Sequence, residues 1–443
     1  MRTPKFHIAL GFCAVLAGTT GVVADPGLYG LIKGKTLATI ADGDFTAATY
    51  ATSELAPMDG RKDVLTVVRL GTDRATLGAV DVSNSVTATP EVLALSPDGR
   101  FAYVIERLGQ RTAGMKMTSD LPPGKRLSII DISDPASPKG SDTVELTVLP
   151  ESLRVSPDGR FLAVPSNSPQ DAVVQIIPVA NGKGGAVQTF KLDALGIERA
   201  SGGGVAATFV DWHPSGGAIA VNLNTRNQVA FFKVGAAARG QVALEPWGKP
   251  VSVGPDPFVG RFTPDGGHYI TADWGRNFQA KTIEERLPQQ NSAVSVVKLA
   301  PLDAGAGAAH AKIGGAPTDR SSEGLAISPD GRLIATVNMR ETAVLKNSPR
   351  FTKMASVTLL SFDPATGAVS DAGTVPFEGM LPEGATFDAT GDHLLATVYE
   401  YHDSPRPMGG IEVFKVVRGA QPRLERLGRI ETPHGTHHVE VRN

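Results

Sequence analysis

The sequence predicts an all-β fold: a seven-bladed β-propeller of four-stranded antiparallel blades, its ring closed by pairing of the N- and C-terminal strands. Three observations lead there. A short strand–turn–strand pattern recurs along the whole chain, the composition suits many short strands, and each end of the chain carries only part of a repeat. The 443 residues include 49 Gly and 32 Pro but few aromatics, which fits strands joined by tight turns. The net charge of −2 leaves no basic footprint for nucleic acid.

The recurring pattern reads Pro90–Glu106, Pro150–Ser166, Ala207–Leu223, Pro257–Asp273, Ser322–Asn338 and Pro382–Val398. Fixed-period similarity of this kind marks propellers and solenoids. Within one copy, Leu93 and Leu95 alternate with smaller residues, as a strand does. Ser96-Pro97-Asp98-Gly99 is a turn: Pro presets φ, Asp bonds nearby backbone, and Gly accepts positive φ. Phe101 to Ile105 is the antiparallel partner, and the stretches from Arg126 and from Thr143 supply two outer strands. A four-stranded meander that is apolar on both faces must be covered on both. A ring of blades does this and leaves only short edges. Thr282 to Leu287 is at most a short helix in a loop, and no window holds a sustained helical stripe.

The ends complete the count. After the sixth copy, Ile411 to Val416 and Leu424 to Ile430 serve as outer strands, and Thr436 to Asn443 matches only a first strand. Near the other end, Asp63 to Leu70 and Thr76 to Ser83 look like second and third strands that lack a first. Combining the ends gives the seventh blade. The rival reading takes Thr46 to Leu55 as that first strand, with Ala56 to Arg61 as a degenerate turn, and leaves the C-terminal strand without a place.

Residues 1–24 read as a signal peptide: Arg2 and Lys5, an apolar run from Ile8, and small residues at Val22-Val23-Ala24 ahead of Asp25. The expected product is periplasmic or secreted and monomeric, with no membrane span after cleavage. Cys13 is the only cysteine, so the mature chain has neither disulfide nor thiolate chemistry. Residues 25–60 are assigned to an N-terminal segment and 61–443 to the propeller domain.

In a propeller the first strand lines the axial channel, and the entry to it shares a face with the loop between strands two and three. Glu91, Glu151, Thr208, Phe258, Glu323, Glu383 and His437 stand at the starts of first strands. Arg107, Asn167, Arg226, Arg276, Arg340 and His402 follow second strands. The expected binding set is Glu91, Glu151, Glu323, Glu383, Arg107, Arg226, Arg276, Arg340, His402 and His437. Converging carboxylates suit a divalent cation, the one cofactor this pattern suggests, and carboxylates near one another can supply a general acid or base. Arginines suit an anionic small molecule, and His402 or His437 a proton transfer near neutral pH. The alternative is purely structural: Glu and Arg pair to satisfy charge around a wet channel. His434, His437 and His438 offer weak metal-ligand spacing, since neighbours on a strand face opposite ways. Asp211-Trp212-His213 reads as local packing, Gly202-Gly203-Gly204 lacks a phosphate-loop context, and Ser166 and Ser168 lack a nucleophile elbow.

The SPDGR turns followed by strands such as Phe101 to Glu106 and Leu333 to Asn338 resemble the YVTN-type and lactonase-like seven-bladed propellers over roughly residues 61–443. The resemblance implies the fold, and a mouth of His, Arg and Glu that opens a cyclic ester with water. Glu151, Arg226 and Glu383 hold plausible mouth positions. The Pro-Glu entries depart from that pattern and look like the PEG-SPDG repeats of exported propellers. Two functions therefore stand: an exported propeller that binds a small anionic ligand, a cation or a partner at the channel mouth, and a lactonase-like hydrolase using the same mouth.

Overall fold

The computed structural model describes residues 22–24, 27–71, 75–87, 89, 91–169, 171–198, 206–236, 240–304, 307–402 and 404–443. The basic residues, Cys13 and most of the apolar run of the expected signal peptide, as well as Asp25 and the triple glycine at 202–204, lie outside them.

Seven antiparallel sheets of four main strands form the molecule. Blade 1 runs from Leu93–Leu95 through Phe101–Leu108 and Pro123–Asp131 to Lys139–Glu145. Blades 2 to 6 repeat this plan, opening with Arg154–Val155, Ala207–Trp212, Pro257–Phe262, Ser322–Ile327 and Ala385–Phe387. Second strands such as Leu333–Asn338 and Ala218–Leu223 are buried throughout, whereas the outer strand Lys139–Glu145 has no buried residue. That gradient follows from stacking: inner strands are covered by blades on both sides, outer ones meet water. The short helix expected in the loop after blade 4's second strand is present at Ile283–Arg286.

Blade 7 joins the chain ends as expected, with a different strand assignment. Thr436–Arg442 is its innermost strand and pairs antiparallel with Thr36–Ala41, which is the second strand. Val64–Arg69 and Ala75–Asp81 are the third and fourth, one place further out than the sequence suggested. Val22–Ala24 adds along Ala75–Leu77. The rival first strand between Thr46 and Leu55 is instead a short helix, Thr49–Thr52, inside the loop between strands two and three.

The repeated turn works through its first side chain. Ser96 Oγ donates to Asp98 and accepts from the backbone N–H of Arg100 and Phe101, at 2.6, 3.1 and 2.9 Å. Ser156, Thr263 and Ser328 likewise donate to the turn Asp and accept from the N–H five residues on, so the expected Asp is one of two acceptors. These turns touch around one face. A Cβ on Gly159, Gly331 or Gly391 would lie 3.0, 3.2 or 3.1 Å from Pro97, Pro264 or Pro329 of the preceding blade. On Gly266, at φ +71°, it would strike the His213 ring.

Candidate functional site

Two rings of inner-strand side chains, three residues apart, line the axis. The upper one is the predicted ring, and the lower one was not foreseen: Arg154, Asp211, Arg261 and Glu440 stand three places after Glu151, Thr208, Phe258 and His437. The same fixed offset that exposed the upper ring would have exposed it.

The lower ring is a closed charge network. Arg154 reaches Glu91 at 3.3 Å, Asp211 at 3.2 Å and Glu440 at 3.3 Å. Arg261 of blade 4 pairs with Glu91 of blade 1, which ties distant blades together. Arg442 lies 3.5 Å and His438 3.9 Å from Glu440. These cations overcome the desolvation of burial and hold the Glu91 and Glu440 carboxyls below their ordinary range. Here the structural reading of the Glu and Arg rings holds.

The other predicted residues divide. Glu151 is held by Arg107 at 3.1 Å and Asn167 at 2.9 Å. Arg226 turns outward to the Glu198 carbonyl. Arg340 reaches Asp319 at 3.5 Å and the Met354 carbonyl at 3.3 Å. His402 packs edge-on against Phe351. The geometry therefore does not bring Arg226, Arg340 or His402 together with the glutamates. His437 is buried with Nε2 2.9 Å from Asn84 Oδ1.

Glu323 and Glu383, on adjacent inner strands, are different. Both are completely buried. Neither Glu323 oxygen has a hydrogen-bond partner among the described residues, nor does Glu383 Oε2. Burial pushes Glu323 up to about 8, with the nearby Arg276 opposing the shift and Asp256 adding to it. Glu383 is likewise pushed well up, through burial and the charge of Glu323. Each buried carboxyl makes the other harder to ionise. The glycine after each glutamate permits the approach: a Cβ on Gly324 would collide with the Glu383 carbonyl oxygen, and one on Gly384 would come 2.7 Å from that of His437.

A cap lies over the pair. Residues 42–63, the long loop of blade 7, place the Tyr50 hydroxyl 3.2 Å from Glu383 Oε1, where it donates. Phe45, Ala47 and Leu55 pack in one apolar cluster with Phe258, Met339 and Leu381. Arg276 completes the wall. Its guanidinium holds Asp256 at 2.7 and 3.0 Å and lies 4.0 Å over Trp274 and 4.4 Å over Phe258. The cap is tied to its neighbours through the Leu55 N–H to the Lys116 carbonyl, the Thr118 N–H to the Ser53 carbonyl, and Arg111 to the Ala56 carbonyl. Sequence reasoning singled out both glutamates but missed Tyr50 and Asp256.

A second acidic group escaped the sequence reading. Asp42, Asp44 and Asp63 bring carboxylate oxygens within 4.8 Å of one another, at the foot of the cap. The Asp42-Gly43-Asp44 spacing was the available signal.

No protein-family model matches the chain, and no curated protein does. Solved structures do. The periplasmic gluconolactonase PpgL of Pseudomonas aeruginosa is 18% identical, with 91% of this chain and 98% of that one covered and a TM-score of 0.61. A protein of Bacteroides fragilis, provisionally assigned as a 6-phosphogluconolactonase, is 15% identical over 92% and 98%, with a TM-score of 0.62. A hypothetical selenium-binding protein of Sulfolobus tokodaii is 10% identical over 94% and 96%, with a TM-score of 0.57. At these identities the likeness is one of fold. The chain is a seven-bladed β-propeller with the fold that lactonase-like propellers share.

Proposed function

We propose that this is an exported propeller that binds a small hydroxyl-bearing molecule at the Glu323–Glu383 pair beneath the cap. One observation carries the reading: two adjacent, fully buried carboxyl groups keep three oxygens without a hydrogen-bond partner among the described residues. Such groups are costly unless something fills their bonding capacity. A pair that holds one proton offers both a donor and acceptors, which is what a hydroxyl or carbonyl group needs. An anion is disfavoured, because Arg107 and Arg276 are already neutralised by Glu151 and Asp256. Binding requires the cap to lift, and its ties to the neighbouring loop are few.

The pair also supports the hydrolase reading. The ionised member can take a proton from water as it attacks the carbonyl carbon of a cyclic ester. The protonated member, with the Tyr50 hydroxyl, can return a proton to the departing ring oxygen, leaving a hydroxy acid. The fold shared with the gluconolactonase of Pseudomonas aeruginosa makes a sugar lactone the first substrate to try.

The test is calorimetric titration of the full chain with glucose and glucono-1,5-lactone, with acid release followed in parallel. Glu323→Gln and Glu383→Gln are expected to weaken binding at least tenfold while the fold is kept. Equal affinity in both variants, or no binding by the parent chain, would remove this site from consideration. Acid release by the parent that is absent in both variants would establish the hydrolase.

A further inference from the structure

The foot of the cap carries a second feature, independent of the glutamate pair. Asp42 and Asp44 flank Gly43, where the chain leaves strand Thr36–Ala41, and Asp63 ends the same loop just before strand Val64–Arg69. Closing the loop therefore brings the three carboxylates together. Asp42 accepts from the N–H of Asp44 and Val86 at 2.8 and 2.9 Å, and Asp63 from those of Gly43 and Asn84 at 2.9 and 3.2 Å. These bonds fix the carboxylates but leave each oxygen a second lone pair. Among the described residues no Lys or Arg makes an ion pair with any of the three. Lys62 goes to Asp81, Arg61 to Asp59, and Arg111 to backbone carbonyls.

Two further oxygens, Ser83 Oγ and Glu106 Oε2, belong to the two blades that flank this group. A cleft of about 540 Å³ opens between blades 7 and 1, with Asp44, Asp63 and Ser83 in its wall. Ser83 is 8% exposed, and its Oγ has no hydrogen-bond partner among the described residues. Across the cleft, Glu106 pairs in register with Arg126, and Val104 with Ser128, so Glu106 shares the blade face whose Arg126 and Ser128 line the cleft. Glu106 is 4% exposed. Its Oε1 lies 3.6 Å from Arg126 while its Oε2 has no hydrogen-bond partner among the described residues.

We propose that Asp42, Asp44 and Asp63, with Ser83 and Glu106 across the cleft, form a calcium site that pins the cap to blades 7 and 1. The donor set is oxygen only, which selects a hard cation over zinc or copper. The cleft leaves room for water, and the donors come from three separate segments. That suits the six to eight ligands and loose geometry of calcium better than the tight octahedron of magnesium. The cation would offset the mutual repulsion of the carboxylates and join residues 42–44 and 63 to the facing strand. Because the cap also covers Glu323 and Glu383, occupancy sets how readily it opens.

The experiment uses the full chain, stripped with a chelator and then given calcium chloride or magnesium chloride, with thermal unfolding and calorimetric titration as readouts. Calcium near a hundredfold over its Kd is expected to raise the melting temperature by roughly 2–5 °C, and magnesium at the same concentration by less than half of that. Asp44→Asn removes one of the repelling charges. It should match or exceed the parent's melting temperature in chelator, yet lose the calcium-dependent rise. Glu106→Gln, on a regular strand, should weaken calcium binding about tenfold. A parent chain indifferent to calcium and stabilised only by mild acid would show that protons fill the site and overturn the proposal. A calcium response undiminished in both variants would overturn it equally. None of these outcomes depends on what binds at the glutamate pair.

Discussion

Replacing Glu323 by Gln should make the protein more stable at neutral pH, an unusual result for a change at a fully buried polar residue. In the unfolded chain this carboxyl ionises in the ordinary range, near 4.5, whereas in the folded state burial holds it to about 8. Below the unfolded range both states carry the proton, and Gln should be nearly neutral. As pH rises, the unfolded chain ionises first, and the folded state is penalised progressively until pH passes its own value. Each unit of difference corresponds to about 1.4 kcal/mol, so at pH 7 the penalty is at most roughly 3 kcal/mol. Relaxation around the pair and its coupling to Glu383 reduce that to about 1.5–2.5 kcal/mol. Gln has the same shape and carries no charge. The assay is urea unfolding, or thermal unfolding at a fixed scan rate, of parent and variant at pH 5 and pH 8. The expected gain is close to zero at pH 5 and a few degrees at pH 8. A variant that is destabilised at both values, or equally stabilised at both, would refute the reasoning. A site that costs stability at its working pH is the usual mark of function over folding.

Arg154→Met should destabilise the protein by roughly 3–5 kcal/mol at pH 7, because it strands Glu91, Asp211 and Glu440 in a buried network. The loss should shrink as pH falls below about 4.5, since carboxyls held low in the folded state contribute only while ionised; urea midpoints across pH will show it. Gly266→Ala forces a Cβ into the His213 ring at positive φ and should cost about 1–3 kcal/mol, read from the melting temperature. Deleting Thr436–Asn443 removes the inner strand of blade 7, and circular dichroism and gel filtration should report loss of the cooperative fold rather than a six-bladed remnant.

The repeat was legible because each turn sets three residue types at fixed spacing, and a ring was legible because neither end could complete a blade alone. Thr36–Ala41 escaped for a physical reason. In the other blades the turn announces the second strand, but here the chain break falls where that turn would be, and the strand is buried on both faces, so nothing alternates. The glutamates were visible as a column, yet their fates were not. Glu91 is neutralised by Arg154 and Arg261 from other blades, and Glu151 by Arg107, while Glu323 and Glu383 make no ion pair among the described residues and lie near Tyr50 and an arginine committed to Asp256. That difference arises from the lower ring and from the folding of residues 42–63 over the axis. It depends on which blades face one another, which periodicity along one strand does not contain.

The shared seventh blade also dictates an order of events during synthesis. Thr36–Ala41 is among the first strands made, and its partner Thr436–Arg442 is the last. Until the final residues emerge, the early strand presents bare amide and carbonyl groups that invite any neighbouring chain. The chain must therefore be kept from associating until Thr436–Arg442 has been made, and only then can the ring close. A fusion that delays or blocks those last seven residues should yield aggregates, whereas the same fusion at the other terminus should be tolerated.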